Sequence, residues 1–200
     1  MNEPLTVFSI GHSNQSITDF LELLARHDIE VLVDVRSSPY ARYAVQFNAP
    51  ALEEDVVAAG RRYLYLGREL GGRPGGIGLY DEEGHVLYSR VAETPVFQGG
   101  IDRLIDGAGR YRVAIMCSEE NPTDCHRRLL IGRVLAGQSV ELIHIRGDGS
   151  LLREADLVDA EARDHPEKQQ LALFAQATEE PWRSIRSVSP RSPRSSSSEP

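Results

Sequence analysis

Val31-Leu32-Val33-Asp34-Val35 decides the fold class. Four of these five residues are apolar and three are β-branched. A short, nearly continuous run of this kind belongs to a strand covered on both faces, as in a parallel sheet. Outward from it, Leu5–Ile10, Tyr63–Leu66, Tyr111–Met116 and Val140–Ile145 read as further strands. Helical patterns separate them. Ser16 opens a helix with Asp19 three positions on, a capping-box-like start, and Ile17, Phe20, Leu21, Leu23 and Leu24 follow at helical spacing. Further helices are expected over about Leu52–Ala59 and Val96–Ile105, and from Thr123 or Asp124 to about Leu135. Two terminal ones follow at Glu154–Arg163 and Glu167–Gln176. Gly147-Asp148-Gly149 reads as a hairpin tip. Strand–helix alternation predicts an α/β domain of three layers, with a mainly parallel sheet and helices on both faces.

Composition narrows the function classes. The chain has 200 residues, 40% hydrophobic and 26% charged, enough for one ordinary domain with a real core. A net charge of −8 disfavours broad, non-specific nucleic-acid binding. No apolar run approaches the roughly 18 residues of a membrane span, and the first residues lack a signal peptide's pattern. Two cysteines do not make a disulfide scaffold, so both are expected as thiols in a cytoplasmic setting. Composition shifts at Pro181. Residues 182–200 hold four Arg and one Glu, and Ser and Pro dominate the rest. They are expected to form a disordered tail of charge +3 on a 1–181 domain of charge −11 (−8 − 3).

In a parallel sheet, ligands sit beyond the carboxyl ends of the strands. Three strand ends deliver chemistry there: His12 and Ser13, then Asp34 and Arg36, then Cys117, Ser118 and Glu119. The segment C-S-E-E-N-P-T-D-C-H-R-R, from Cys117 to Arg128, is the sharpest feature. It carries a thiol off an apolar strand toward a helix start, where backbone N–H groups favour a thiolate or a bound anion. Basic residues oppose the dipole at such a start, so His126, Arg127 and Arg128 must meet a ligand or nearby carboxylates.

Three chemistries fit the segment. Cys117 as nucleophile would use Glu119 or His126 for proton transfer, with Asp34 either orienting a donor or acting as base, or else simply paired with Arg36. Cys117 and Cys125 could instead form a redox pair. Zn²⁺ on Cys117, Cys125 and a histidine, His126 or His12, is the third form, although the cysteine spacing is not the close C-x₂-C type. A cysteine-phosphatase loop is not supported, because Thr123 stands where its Arg belongs, six residues after the Cys. The leading reading is the nucleophile, with a depressed Cys117 pKa. His12, Ser13, Arg36, Arg42, Cys125 and Arg127 are then expected to bind a small anionic or nucleotide-like ligand, and neither metal ligands nor a cofactor are assigned. The alternative is a non-catalytic module for a nucleotide or nucleic-acid end. Tyr40, Tyr43 and Phe47 are aromatic enough to stack a base, with burial against the sheet the commoner use. The glycine-rich stretch Gly67–Gly78 matches no nucleotide fingerprint and reads equally as a flap offering Arg68 and Arg73 or as a plain connector. His144, on an apolar strand, reads as a satisfied core histidine.

Taken together, I-G-H-S-N at Ile10–Asn14, D-V-R-x-x-P at Asp34–Pro39, L-G-G at Leu70–Gly72 and M-C-S-E-x(5)-C-H-R at Met116–Arg127 resemble domain-of-unknown-function family 488. The resemblance runs from about Phe8 to Ile145. It implies a compact α/β fold with a site formed by these motifs, and it points to nucleotides or nucleic acid as the substrate class. Ala41 departs from the pattern, where Ser often precedes the position of Arg42.

Overall fold

The computed structural model describes residues 4–164 and 182–188. Six strands form one sheet in the order β3-β2-β4-β1-β5-β6. They are β1 (Thr6–Gly11), β2 (Val31–Asp34), β3 (Arg62–Tyr65), β4 (Val113–Cys117), β5 (Glu141–Ile145) and β6 (Leu151–Arg153). The first five run parallel, and β6 returns antiparallel through the hairpin expected at Gly147–Gly149. Alternation across the pleat sends Val7, Val31, Val33, Val113 and Ile115 to one face and Phe8, Leu32, Ala114 and Met116 to the other. Two helices, α1 (Ile17–Arg26) and α2 (Ala49–Ala58), cover the second face. The first face is covered by α3 (Tyr88–Ala92), α4 (Pro95–Ala108) and α5 (Arg133–Gly137). The three-layer α/β architecture is therefore as expected. A further helix, α6 (Glu154–Asp164), follows β6. No described helix is long and apolar enough to cross a membrane.

Local signals explain most boundaries. The Ser16 side chain accepts from the Asp19 N–H at 3.1 Å and caps α1. Thr94 caps α4 in the same way, with Pro95 at its first position. His144 is fully buried between Ser9 Oγ at 2.6 Å and Glu154 Oε2 at 2.9 Å, a satisfied core histidine as expected.

Two expectations need correction. The helix after Cys117 begins at His126, not at Thr123 or Asp124. Asn121 Oδ1 accepts from the Thr123 N–H and hydroxyl, which closes a separate turn first. The helix then runs as a π turn over Arg127–Gly132 before α5. Arg127, Arg128, Leu130, Ile131 and Gly132 are all buried, more inward positions than one α-helical face offers.

The second correction concerns the tail. Residues 182–188, expected to be disordered, pack on the domain. Trp182 Nε1 donates to Leu129 O at 2.8 Å, and its ring meets Tyr88 edge-on and Arg133 face-on. Arg183 pairs with Asp81 and Glu83. The Ser184 N–H donates to Val86 O, and the Val188 N–H to Gly84 O. One aromatic anchor and these main-chain bonds offset the ordering entropy that composition alone weighs against. The expected helix Glu167–Gln176 and the tail beyond residue 188 lie outside the described residues.

Candidate functional site

Three parallel strands end together and bring their following residues to one edge. Register pairs Gly11 with Cys117 and Asp34 with Met116. The His12 N–H then donates to Cys117 O at 3.0 Å, and the Val35 N–H to Met116 O at 3.1 Å. Gly11 is required here, because a Cβ on it would sit 1.8 Å from Glu119 O. Its bareness lets the 117–120 loop fold back over the end of β1. Arg127, fully buried, clamps that loop by donating to Glu119 O and, at 2.7 Å, to Glu120 O.

The result is a tight cluster. Cys117 and Cys125 both donate to Glu119 Oε2, at 3.1 and 3.3 Å. Their sulfurs lie 3.7 and 3.8 Å from His126 Nδ1. His126 Nε2 faces Val35 O at 3.1 Å. A carbonyl only accepts, so Nε2 carries a proton, and Nδ1 is the ring atom that faces the thiols. Gly72 presses on this ring, since a Cβ there would lie 2.8 Å from His126 Cγ. The glycine-rich stretch is thus a packed wall at this point rather than a plain connector.

Electrostatics divide the two thiols. Cys125 is the thiolate-favoured member. Once Cys125 gives up the proton it shares with Glu119, the Cys117 thiol donates to the resulting thiolate, and His126 and Arg127 add positive charge, which together outweigh burial. The bond with Cys125, burial, and the negative charge of Cys125 and Glu119 push Cys117 well up. The depressed Cys117 expected from the sequence is therefore not what this geometry produces. The helix starts only at His126, and Glu119 lies closer to Cys117 than any cation. Glu119 is held low despite its burial, by the bonds it accepts from both thiols and a backbone N–H. His126 is raised, because Cys125 and Glu119 outweigh desolvation.

A second network backs the first. Asp34, fully buried, accepts from Arg36 Nε at 2.9 Å, Arg36 Nη2 at 2.6 Å and the Tyr63 hydroxyl at 2.7 Å. Arg36 also donates to Phe47 O at 2.8 Å and to His12 Nε2 at 3.1 Å. Four of its five N–H groups are engaged, so one remains for the cavity that Arg36 lines. His12 stacks on Phe47 and gives its Nδ1 proton to Ser13 O. Burial lowers its pKa to about 4, so it stays neutral.

A cavity of about 460 Å³ opens over the thiol cluster. Of the residues singled out in the sequence, Arg36, Arg73, Tyr40, Cys117, Glu119, Cys125 and His126 line it. Asp34 and His12 stand behind Arg36 and orient it. Arg127 holds the loop backbone instead of facing the cavity. Arg128 pairs with Glu154 and Glu161, so its negative partners are carboxylates of the protein. Ser13 and Arg42 are exposed and lie outside the lining. Sequence reasoning missed Tyr88, Ser184 and Arg186, which complete the walls. Only the folding back of residues 182–188 brings the last two there, and no local pattern announces it.

Fold and site define a parallel-sheet α/β protein with a cysteine-centred cavity at the carboxyl edge of its sheet. The chain belongs to the family described as domain of unknown function DUF488, whose model matches residues 16–134. No curated protein and no solved structure matches the chain. The matched span holds Asp34, Arg36, Cys117, Glu119, Cys125 and His126, while His12, Ser184 and Arg186 lie outside it.

Proposed function

We propose that this protein is a small enzyme acting on a compact anionic, nucleotide-like substrate, with the Cys117–Glu119–Cys125–His126 cluster as its reactive centre. One observation carries the reading. The cluster floors a cavity whose rim bears two exposed guanidiniums, Arg73 and Arg186, with no carboxylate in ion-pair distance among the described residues. Unpaired guanidiniums above buried reactive groups suit a ligand whose anionic end is held at the rim while its other end reaches the floor. The spare N–H of Arg36 adds a fixed donor, and Tyr40 supplies a partly exposed ring for a base. Asp124 on the same rim tempers the positive potential and favours ligands with their own donor groups.

The test is a calorimetric screen of phosphate, nucleoside mono- and diphosphates and short oligonucleotide ends, followed by a turnover assay on whatever binds. Arg73→Ala and Arg186→Ala should each weaken binding about 10- to 100-fold, the worth of one charge-assisted bond. Cys125→Ser should abolish turnover while leaving that binding in place. Binding without turnover in the wild type would make this a recognition module. Binding that ignores both arginines would overturn the reading.

A further inference from the structure

We infer that Cys117, Cys125 and His126 form a site for a zinc-type divalent cation, with its fourth position open to the cavity beside Tyr88. The inference rests on the proposed reading of this cluster as the reactive centre, and it names the cofactor. Two sulfurs and one imidazole nitrogen lie within 4.8 Å of one another. The sulfur-to-Nδ1 distances are 3.7 and 3.8 Å. An ion with Zn–S of about 2.3 Å and Zn–N of about 2.0 Å holds tetrahedral ligands about 3.6 Å apart. Both sulfur-to-nitrogen distances therefore already match the edges that one bound ion would set, and the two sulfurs lie within 4.8 Å of each other.

The surroundings point the same way. His126 gives its Nε2 proton to Val35 O. A metal-ligating histidine is typically oriented by such an outer bond, which fixes the tautomer and leaves Nδ1 free to bind. A nucleophilic cysteine needs one thiol and a base. Here two thiols converge on one point, and a divalent cation would balance both as thiolates. Two thiolates and an imidazole select zinc over magnesium or calcium. Glu119 reaches both sulfurs but is not among the three atoms grouped around the ion's position, so three protein ligands leave a coordination position vacant.

An independent observation concerns Tyr88. It is 3% exposed and lines the cavity, yet its hydroxyl has no hydrogen-bond partner among the described residues. The ring is buried, while the hydroxyl opens on the cavity. An oxygen on the ion's open position, from water or substrate, would accept from it. Asp81, Glu83 and His85 also group closely. There Arg183 already pairs with both carboxylates, so that group carries no comparable argument.

The experiment uses the full chain. Elemental analysis of protein purified without chelator should find about one zinc per chain. After chelator treatment, added Co²⁺ should produce the thiolate-to-cobalt charge-transfer band and the visible bands of a tetrahedral site. Zinc should also raise the melting temperature of the stripped protein. Cys117→Ser, Cys125→Ser and His126→Asn should each weaken zinc binding at least about 100-fold. Comparing the metal-free forms by circular dichroism separates ligand loss from misfolding. Wild-type protein that carries no zinc and develops no cobalt band would overturn the inference. So would a Cys117→Ser/Cys125→Ser double variant that keeps the metal. Zinc-free protein that still binds and turns over an anion would sink the metal and leave the proposed function standing. A zinc-loaded protein indifferent to every anion would do the reverse.

Discussion

Replacing Arg36 by Met should cost more stability than any other single change of a cavity-lining residue. Met keeps an apolar stem of similar reach and removes only the guanidinium. The lost bonds are the two to Asp34, at 2.9 and 2.6 Å, one to Phe47 O and one to His12 Nε2. Asp34 would be left fully buried with only the Tyr63 hydroxyl and the Arg36 backbone N–H. Breaking a buried pair by deleting one partner costs about 3–5 kcal/mol, because the surviving charge stays buried. For a domain of this size that is a fall of roughly 6–20 °C in melting temperature. Urea unfolding should show a lower midpoint with an unchanged slope. The double variant Asp34→Asn/Arg36→Met removes the stranded charge and should recover about half of the loss. A single variant that loses less than about 1 kcal/mol would refute the reasoning. So would a double variant no more stable than the single.

Two further outcomes follow from neighbouring features. His12 is neutral when folded, with its pKa near 4, whereas an unfolded histidine takes up a proton near 6.5. Its contribution is therefore fully present above about pH 6.5 and is lost as pH falls toward 4, amounting to about 3 kcal/mol. Urea midpoints across that range should fall less steeply in His12→Gln, and identical slopes would remove His12 as the cause. Trp182 is the chain's one tryptophan, so fluorescence reports directly on the packing of residues 182–188. Its emission should be blue-shifted in the native protein, and Trp182→Ala should cost about 2 kcal/mol, below the value for a fully buried ring. Water-like native emission would mean that the segment does not dock.

The sheet was legible because its strands are short apolar runs that end in polar residues. Val31–Val35 needs no context to be read as covered on both faces, nor Tyr111–Met116 to be read as a strand. The convergence of Asp34, Arg36, Cys117 and Glu119 followed from the rule that parallel strands end on one side. Roles within the site were less legible, because they depend on direction rather than position. Arg127 and Arg128 are adjacent in sequence, yet one clamps a loop backbone and the other pairs with α6. Sequence left Asp34 open between a role in proton transfer and a pair with Arg36, and the pair is what forms, with Asp34 taking up the guanidinium's fork. The thiolate moved from Cys117 to Cys125 because the Cys117 thiol donates to Cys125, His126 and Arg127 add positive charge at Cys125, and burial and Glu119 disfavour charge on Cys117. Nothing local marks Tyr88 or Arg186, which reach the cavity only through packing between distant segments.

The wide turn at Arg127–Gly132 makes chain length itself a determinant of the cluster. The Arg133 N–H reaches back to Arg128 O, five residues away, so this turn holds one residue more than an α-helical turn would. Deleting a residue there would relax it toward α-helix and rotate its front by about 100° relative to α5. Cys125 and His126 would swing away from Cys117, although every reactive side chain would still be present. The alignment of the site is thus a matter of phase, set by counting residues along a helix. A one-residue deletion at 129–132 would disperse the cluster with both cysteines still in place.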